Sequence, residues 1–283
     1  MSPSVDFVYG AVLASALFHA TWNALIKGSA DTLLSAVGMT GVATLLALLS
    51  LPWMQQPASE SWPFLLISLV LQVVYMRLVA RIYRTTDMSV SYPVMRGTAP
   101  LLVALVSVLF FHDDPSPGAL MGVATICAGI LCLGLLGGAK PRRFTHIRLA
   151  LLNAFVIAGY TLVDGTGVRL SQAPASYTLW IFLLQGCVMI GMVMPRRAAD
   201  LGRHFRTHWG AIVAGGFGTV VSYGVALWAM TLAPIAVIAA LRETSILFGI
   251  LISGLFLHER LTPARIVGAG ILVLGVIMLR LAP

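Results

Sequence analysis

Ten stretches of this chain are apolar for roughly 20 residues each, the length that crosses a hydrocarbon core of about 30 Å. They lie near 6 to 27, 33 to 53, 62 to 84, 88 to 111, 116 to 136, 147 to 170, 176 to 194, 207 to 232, 234 to 257 and 263 to 281. Within lipid every backbone polar group must be bonded inside the protein, and an unbroken apolar run has no alternation to build a barrel, so the spans are helices. Composition agrees: 59% hydrophobic and 10% charged residues, with a mean hydropathy of +0.93, fall outside the range of soluble domains. The fold class is therefore an all-α integral membrane protein. Separation of the eighth span from the ninth rests on Thr231, Leu232, Ala233 and Pro234 read as a tight turn. The leader Met1 to Asp6 has no Lys or Arg, so the basic region of a signal peptide is missing and the first span reads as retained.

The spans repeat. At an offset of 146 residues, Arg96, Thr98, Leu101, Leu105, Ser107, Leu109, Phe110, His112, Pro117, Gly122, Gly129 and Leu133 match Arg242, Thr244, Leu247, Leu251, Ser253, Leu255, Phe256, His258, Pro263, Gly268, Gly275 and Leu279. Twelve identities in 38 aligned positions point to a duplicated unit, with halves at 1–143 and 144–283. Five spans is an odd number, so the second unit enters the membrane upside down. The expectation is ten transmembrane helices as two inverted five-helix repeats around a central cavity, the plan of many secondary transporters. The turns at His112, Asp113, Asp114 and at His258, Glu259, Arg260 read as solvated helix starts, with Pro117 and Pro263 in the first turn.

The net charge of +8 is distributed by topology. Lys27, Arg77, Arg81, Arg84, Lys140, Arg142, Arg143, Arg148, Arg196, Arg197, Arg203, Arg206, Arg260 and Arg265 fall at one face, against Arg169 and Arg280 at the other. That asymmetry places both termini outside the cytoplasm. Basic loops then need neither nucleic acid nor anionic lipid to explain them. Cys127, Cys132 and Cys187 all lie in apolar spans and read as small core residues. No metal-ligand cluster, nucleophile elbow or phosphate loop is present, so neither a cofactor nor an enzymatic activity is expected.

Polar residues inside the spans mark the candidate site. Ser15, His19, Asn23 and Lys27 recur every four residues on one face of the first span, and Asn153, Tyr160, Asp164 and Gly167 nearly do so in the sixth; an offset of 141 pairs His19 with Tyr160 and Asn23 with Asp164. Such stripes face protein or water, either as helix-to-helix bonds or as a cavity wall. Arg96 and Arg242 sit within spans, where an arginine costs about 2.5–3.5 kcal/mol on insertion scales. Asn23 and Arg96 are read as lying toward the cytoplasmic face, and Asp164, Arg242 and Glu243 toward the opposite one. Two readings stand: Asp164 neutralises Arg242 while Arg96 bonds carbonyls freed by Pro93 and Pro100, or a guanidinium binds a substrate oxyanion through its fork of donors. Glu243 has Gly97 as its counterpart. With Asp164 it is the candidate for a coupling proton, since burial and a neighbouring arginine act on a carboxyl group in opposite directions. Trp22, Tyr75, Tyr92, Trp180, Tyr223 and Trp228 are aromatic candidates for stacking on substrate, or else core and belt residues. Glycines 118, 122, 268 and 275 make the fifth and tenth spans close-packing elements, bracing the bundle or forming a homodimer face.

These features together, ten spans in a five-plus-five repeat, with the fourth and ninth ending in Leu109, Phe110, Phe111, His112 and Leu255, Phe256, Leu257, His258, Glu259 before a Pro and a Gly-rich span, resemble the EamA branch of the drug/metabolite transporter superfamily. The resemblance covers essentially the whole chain and is best from Arg242 to Leu279; the first unit has Asp113 where the family often has glutamate. It implies a basket with spans one to four and six to nine around the cavity and spans five and ten outside. Members mostly export amino acids or other small metabolites from bacteria, and some import them or move sugars and their derivatives; with the arginines, the resemblance favours a secondary transporter of the inner membrane that moves small polar metabolites, amino acids or related carboxylates, outward. Related small multidrug-resistance pumps use a glutamate in the first span, and His19 and Asn23 do not supply it. Alternatives are a drug or organic-cation exporter and a non-transporting assembly or lipid-handling component. The expected partners are a small-molecule substrate, the lipid bilayer, a coupling proton and a second copy of the chain, with no nucleic acid.

Overall fold

A computed structural model describes residues 3–27, 29, 31–85, 88–111, 115–135, 144–256 and 262–282. Both His112, Asp113, Asp114 and His258, Glu259, Arg260 lie outside the described residues, as do Lys140, Arg142 and Arg143. Ten helices follow in order: α1 Val5–Lys27, α2 Thr32–Ser50, α3 Trp62–Thr85, α4 Met88–Val106, α5 Pro117–Leu135, α6 Phe144–Ser171, α7 Pro174–Met230, α8 Ile235–Arg242, α9 Ser245–Phe256 and α10 Pro263–Leu281. A π-helical turn, Ser107–Phe111, continues α4. Among the described residues nine helical stretches are long and apolar enough to cross a membrane.

Helix α7 joins what the sequence divides at 195–206. Its 57 residues would measure about 85 Å if straight, far more than one crossing. Non-helical backbone at Arg197 (φ −137°, ψ 26°) and His208 (φ −121°, ψ 22°) breaks it, just after Pro195. The chain doubles back: the Phe182 and Tyr223 rings lie 6.1 Å apart, and Leu179 packs with Val220. In the short helical bridge Asp200 pairs with Arg203 and with Arg197 one turn away, a small helix-stabilising contribution. The expected turn at Thr231 to Pro234 is present, its freed carbonyls at Met230 and Ala233 accepting bonds from Arg169.

A further break, not foreseen, separates α8 from α9. Glu243 and Thr244 make bonds of i to i−3 type, to Ala240 and Leu241. The Thr244 hydroxyl also donates to the Leu241 carbonyl at 2.6 Å, competing with the helical ladder as a threonine can.

Large apolar side chains such as Leu49, Val70, Phe110 and Leu274 point outward, while Arg96, Asn153, Asp164 and Glu243 are buried, the order a lipid solvent imposes. Helices α5 and α10 close on each other through glycine. A Cβ on Gly129 would lie 2.9 Å from the Gly268 carbonyl oxygen, one on Gly268 3.0 Å from that of Gly129, and one on Gly275 3.0 Å from that of Gly122. The glycines thus brace the bundle within one chain.

At the basic face, α2 is tied to the α7 bridge. Asp31 caps α2, accepting from Leu34 N at 3.0 Å, and its other oxygen takes a 2.6 Å bond from Arg197. Ser35 meets His204 at 2.8 Å, with His208 stacked on that ring. The Leu34 amide first, then Arg197, hold the Asp31 carboxyl below the usual carboxylate range. A depressed carboxyl contributes stability that is present above its ordinary value and lost as pH falls through the depressed one. Asp31→Ala is expected to remove a cap worth about 1 kcal/mol and to shrink the acid-side loss of stability in thermal melts below about pH 4. An unchanged melting curve across that range would show that the cap and pair are idle.

At the opposite face the segment 51–61 lies on the start of α7. Ala58 N donates to Ser171 O, Ser176 to Gln55 O, and Trp180 to Gln56.

Candidate functional site

Three helices each present one face to a common cleft. Arg96, Ala99, Pro100 and Val103 come from α4, Ile157, Tyr160 and Thr161 from α6, and Ala239 and Arg242 from α8, with Glu243 just past its end. These spacings of three and four are single helical faces. The open space between them is about 10 Å³, close to the room one water needs. Neither α5 nor α10 contributes to it. Pro93 and Pro100 flank Arg96 within α4, and the α8 break leaves Glu243 at a helix end beside Arg242, where a cation is favoured by the helix dipole.

Arg96 and Glu243 form the first cluster. Arg96 Nε lies 2.7 Å from Glu243 Oε2, and the two residues are only 8% and 5% exposed. The N–H is not aimed along the contact, so both atoms lack a hydrogen bond among the described residues. A second Arg96 nitrogen sits 3.4 Å from His19 Nε2, and the Tyr92 ring centroid is 5.9 Å from Cζ. The two levels inferred from sequence, Arg96 toward one face and Glu243 toward the other, therefore meet. At the position equivalent to Glu243, Gly97 packs on α5, where a Cβ would lie 2.9 Å from Leu131 Cγ. An acid would not fit at that place.

Asp164 forms the second cluster. Its carboxylate, 0% exposed, accepts from Tyr223 Oη at 2.5 Å, Tyr177 Oη at 3.4 Å and Gln72 Nε2 at 3.5 Å. Gln72 also donates to Ser68 at 2.9 Å. Asp164 therefore does not directly neutralise Arg242, contrary to the first of the two readings. Arg242 instead stacks on Tyr223, its Cζ 4.9 Å from the ring centroid. Among the described residues the Arg242 guanidinium has no hydrogen-bond or ion-pair partner.

Of the other candidates, Tyr160 lines the cleft and packs against Tyr75 at 5.8 Å. Trp22 sits edge-on to His19 at 5.1 Å, its buried Nε1 without a hydrogen-bond partner among the described residues. Asn23 turns back to the His19 carbonyl of its own helix at 2.8 Å. Trp180 stacks on Trp62, and Trp228 meets Phe7. Ser68, Gln72 and Tyr177 were missed from the sequence. Ser68 and Gln72 carried a usable signal, two polar residues four apart in an apolar span. Tyr177, near a helix start, carried none.

The sequence matches the EamA-like transporter family twice, over residues 7–135 and 145–281. The chain belongs to this family. Members of the EamA-like family are membrane transporters of the drug/metabolite type and not enzymes, and the chain is a multi-pass membrane protein. Twenty-eight chains of known structure match it. One, described as a crystal structure of a protein, is 14% identical over 98% of this chain and 99% of its own, with a TM-score of 0.78, a likeness of fold alone. No curated protein matches the chain.

Proposed function

We propose that this EamA-like protein is a secondary transporter of small polar metabolites bearing a carboxylate, amino acids or their relatives, and that it moves them outward across the bacterial inner membrane by alternating access. The observation that carries this reading is Arg242, a guanidinium in the cleft wall with no direct ion pair or hydrogen bond among the described residues. Arg96 is neutralised by Glu243 and Asp164 is enclosed by neutral donors. The cleft therefore presents one fork of donors that no carboxylate among the described residues touches, and it matches a carboxylate in geometry and charge. Tyr160 lines the cleft with it, and His19, Trp22 and Tyr92, gathered on the Arg96 side, complete the set as orienting groups, with Asn23 one turn along.

Ten spans in two inverted halves, 1–143 and 144–283, complete the proposal. The reversal of α7 supports ten crossings. The glycine contacts support the inversion: Gly122 and Gly129 align with Gly268 and Gly275, and the contacts run Gly122 to Gly275 and Gly129 to Gly268, the reciprocal pattern of a two-fold axis. Both termini then lie on the periplasmic side.

The test compares metabolites in medium and cytoplasm for cells expressing the intact protein or Arg242→Ala at equal membrane abundance. A small set of carboxylates is expected to move outward with the intact protein and not with the variant. Movement that survives the substitution, or movement of organic cations instead, would overturn the reading.

A further inference from the structure

Asp164 is not among the residues that line the cleft, yet it is fully buried and hydrogen-bonded from several sides. Among the described residues its partners are neutral donors on two neighbouring helices: Tyr177 and Tyr223 on α7, and Gln72 and Ser68 on α3. The charged groups near it are Arg242, with Glu243 beyond, and Arg96 across the cleft; Tyr160 lies one turn back on its own helix. Among the described residues no Lys, Arg or His bonds the carboxylate. Arg242 reaches it only through the Tyr223 ring, whose face takes the guanidinium and whose hydroxyl donates to Asp164.

We infer that Asp164 is the proton-binding site of this transporter and that its proton and an anion on Arg242 bind together, not in turn. This rests on the reading that Arg242 holds the substrate carboxylate. With Asp164 ionised, its negative charge offsets Arg242 across one phenol ring. A proton taken up at Oδ1, where the Tyr177 contact is long, removes that charge and leaves the guanidinium facing the cleft uncompensated. The proton leaves a hydronium in water, breaking one O–H bond there and forming one at Oδ1, and Tyr177 Oη turns from donor to acceptor in that contact. Protonation thus tightens anion binding, and anion binding tightens the proton by the same factor. A factor of about tenfold is expected for two charges joined through one ring. A metal ion fits less well: it needs a shell of oxygen lone pairs, and here hydroxyl and amide donors fill the places around the carboxylate.

The consequence is a direction rule. A carrier that binds both ligands together crosses loaded or empty, so proton and carboxylate travel the same way. Net outward movement then occurs when the substrate gradient outweighs the inward proton gradient, as a release of excess.

The test needs no substrate, so its failure and the failure of the carboxylate reading come apart. Purified full-length protein is titrated with acid between pH 5 and 9 while infrared difference spectra follow the carboxyl C=O stretch. The intact protein is expected to show a protonating carboxyl that Asp164→Asn lacks. Arg242→Gln, which removes the charge a bound anion would offset, is expected to raise its midpoint by about one pH unit, the tenfold coupling read on a pH scale. Tyr223→Phe, which removes the donor to the carboxylate, should also raise it and gives a second handle if Asp164→Asn fails to fold. A band that persists in Asp164→Asn, no titrating band at all, or a midpoint unmoved in Arg242→Gln would overturn the inference. A midpoint lowered when choline is replaced by sodium would assign the site to a metal ion and overturn it likewise.

Discussion

Arg96→Ala and Arg242→Ala, substitutions at equivalent positions of the two repeats, are expected to fail in different ways. Arg96 lies 2.7 Å from Glu243, and both are almost wholly buried. Truncating one member of a buried pair strands the other, at a cost of about 3–5 kcal/mol, against a total stability of roughly 5–15 kcal/mol for a typical protein. Arg96→Ala should therefore lower membrane abundance and the melting temperature. Adding Glu243→Gln should recover much of that loss, since the stranded charge is gone. The Arg242 guanidinium has no such partner among the described residues, only the Tyr223 ring. Arg242→Ala should melt near the intact protein and lose transport by about 10- to 100-fold, the equivalent of one charge-assisted contact of about 1.5–3 kcal/mol. Arg242→Lys keeps the charge without the fork and should fall between. A double-mutant cycle over Arg96 and Glu243, read by thermal melting, isolates the coupling. If Arg242→Ala destabilises the protein as much as Arg96→Ala does, the lack of a direct partner for that guanidinium is an illusion and the carboxylate reading goes with it.

The site was legible in the sequence as a set of residues but not as a set of pairs. Arginine, aspartate and glutamate inside apolar spans announce themselves, because burial in lipid makes them costly. Which carboxylate meets which arginine depends on helix rotation and depth, and a repeat offset constrains neither. Depth counted from span ends set Arg96 and Glu243 apart. The break at Glu243 and Thr244 and the proline-flanked course of α4 bring them together. Asp164 went the other way, drawn off Arg242 by Tyr177, Tyr223 and Gln72 from two further helices. The reversal within α7 was legible from the basic, polar stretch at 196–206, whereas its helical character was not. The i,i+3 pairing around Asp200 adds a little to that helicity, too weak a pattern to outweigh Pro195 and the clustered charge when read from sequence.

The seam between α5 and α10 carries the other large effect. A Cβ on Gly129 would lie 2.8 Å from Leu272 N and 2.9 Å from the Gly268 carbonyl oxygen. These are backbone atoms, which cannot rotate aside as a side chain would. Gly129→Leu must push the two helices apart, at the upper end of the roughly 1–3 kcal/mol that overpacking costs, and the close approach that lets membrane helices attract one another is lost with it. Gly270 lies on the same α10 with nothing within 4 Å of its would-be Cβ, so Gly270→Leu is the matched control and should melt like the intact protein. The damage should reach the cleft as well. Helix α5 carries α4 on its other side: a Cβ on Gly97 would meet Leu131 and the Cys127 carbonyl, and one on Gly134 would lie 2.6 Å from Pro93 Cβ. Displacing α5 therefore moves the helix that holds Arg96 against Glu243. Gly129→Leu is expected to lower both melting temperature and transport, while Gly270→Leu lowers neither. Equal tolerance of the two substitutions would mean that α5 and α10 do not meet within one chain as described.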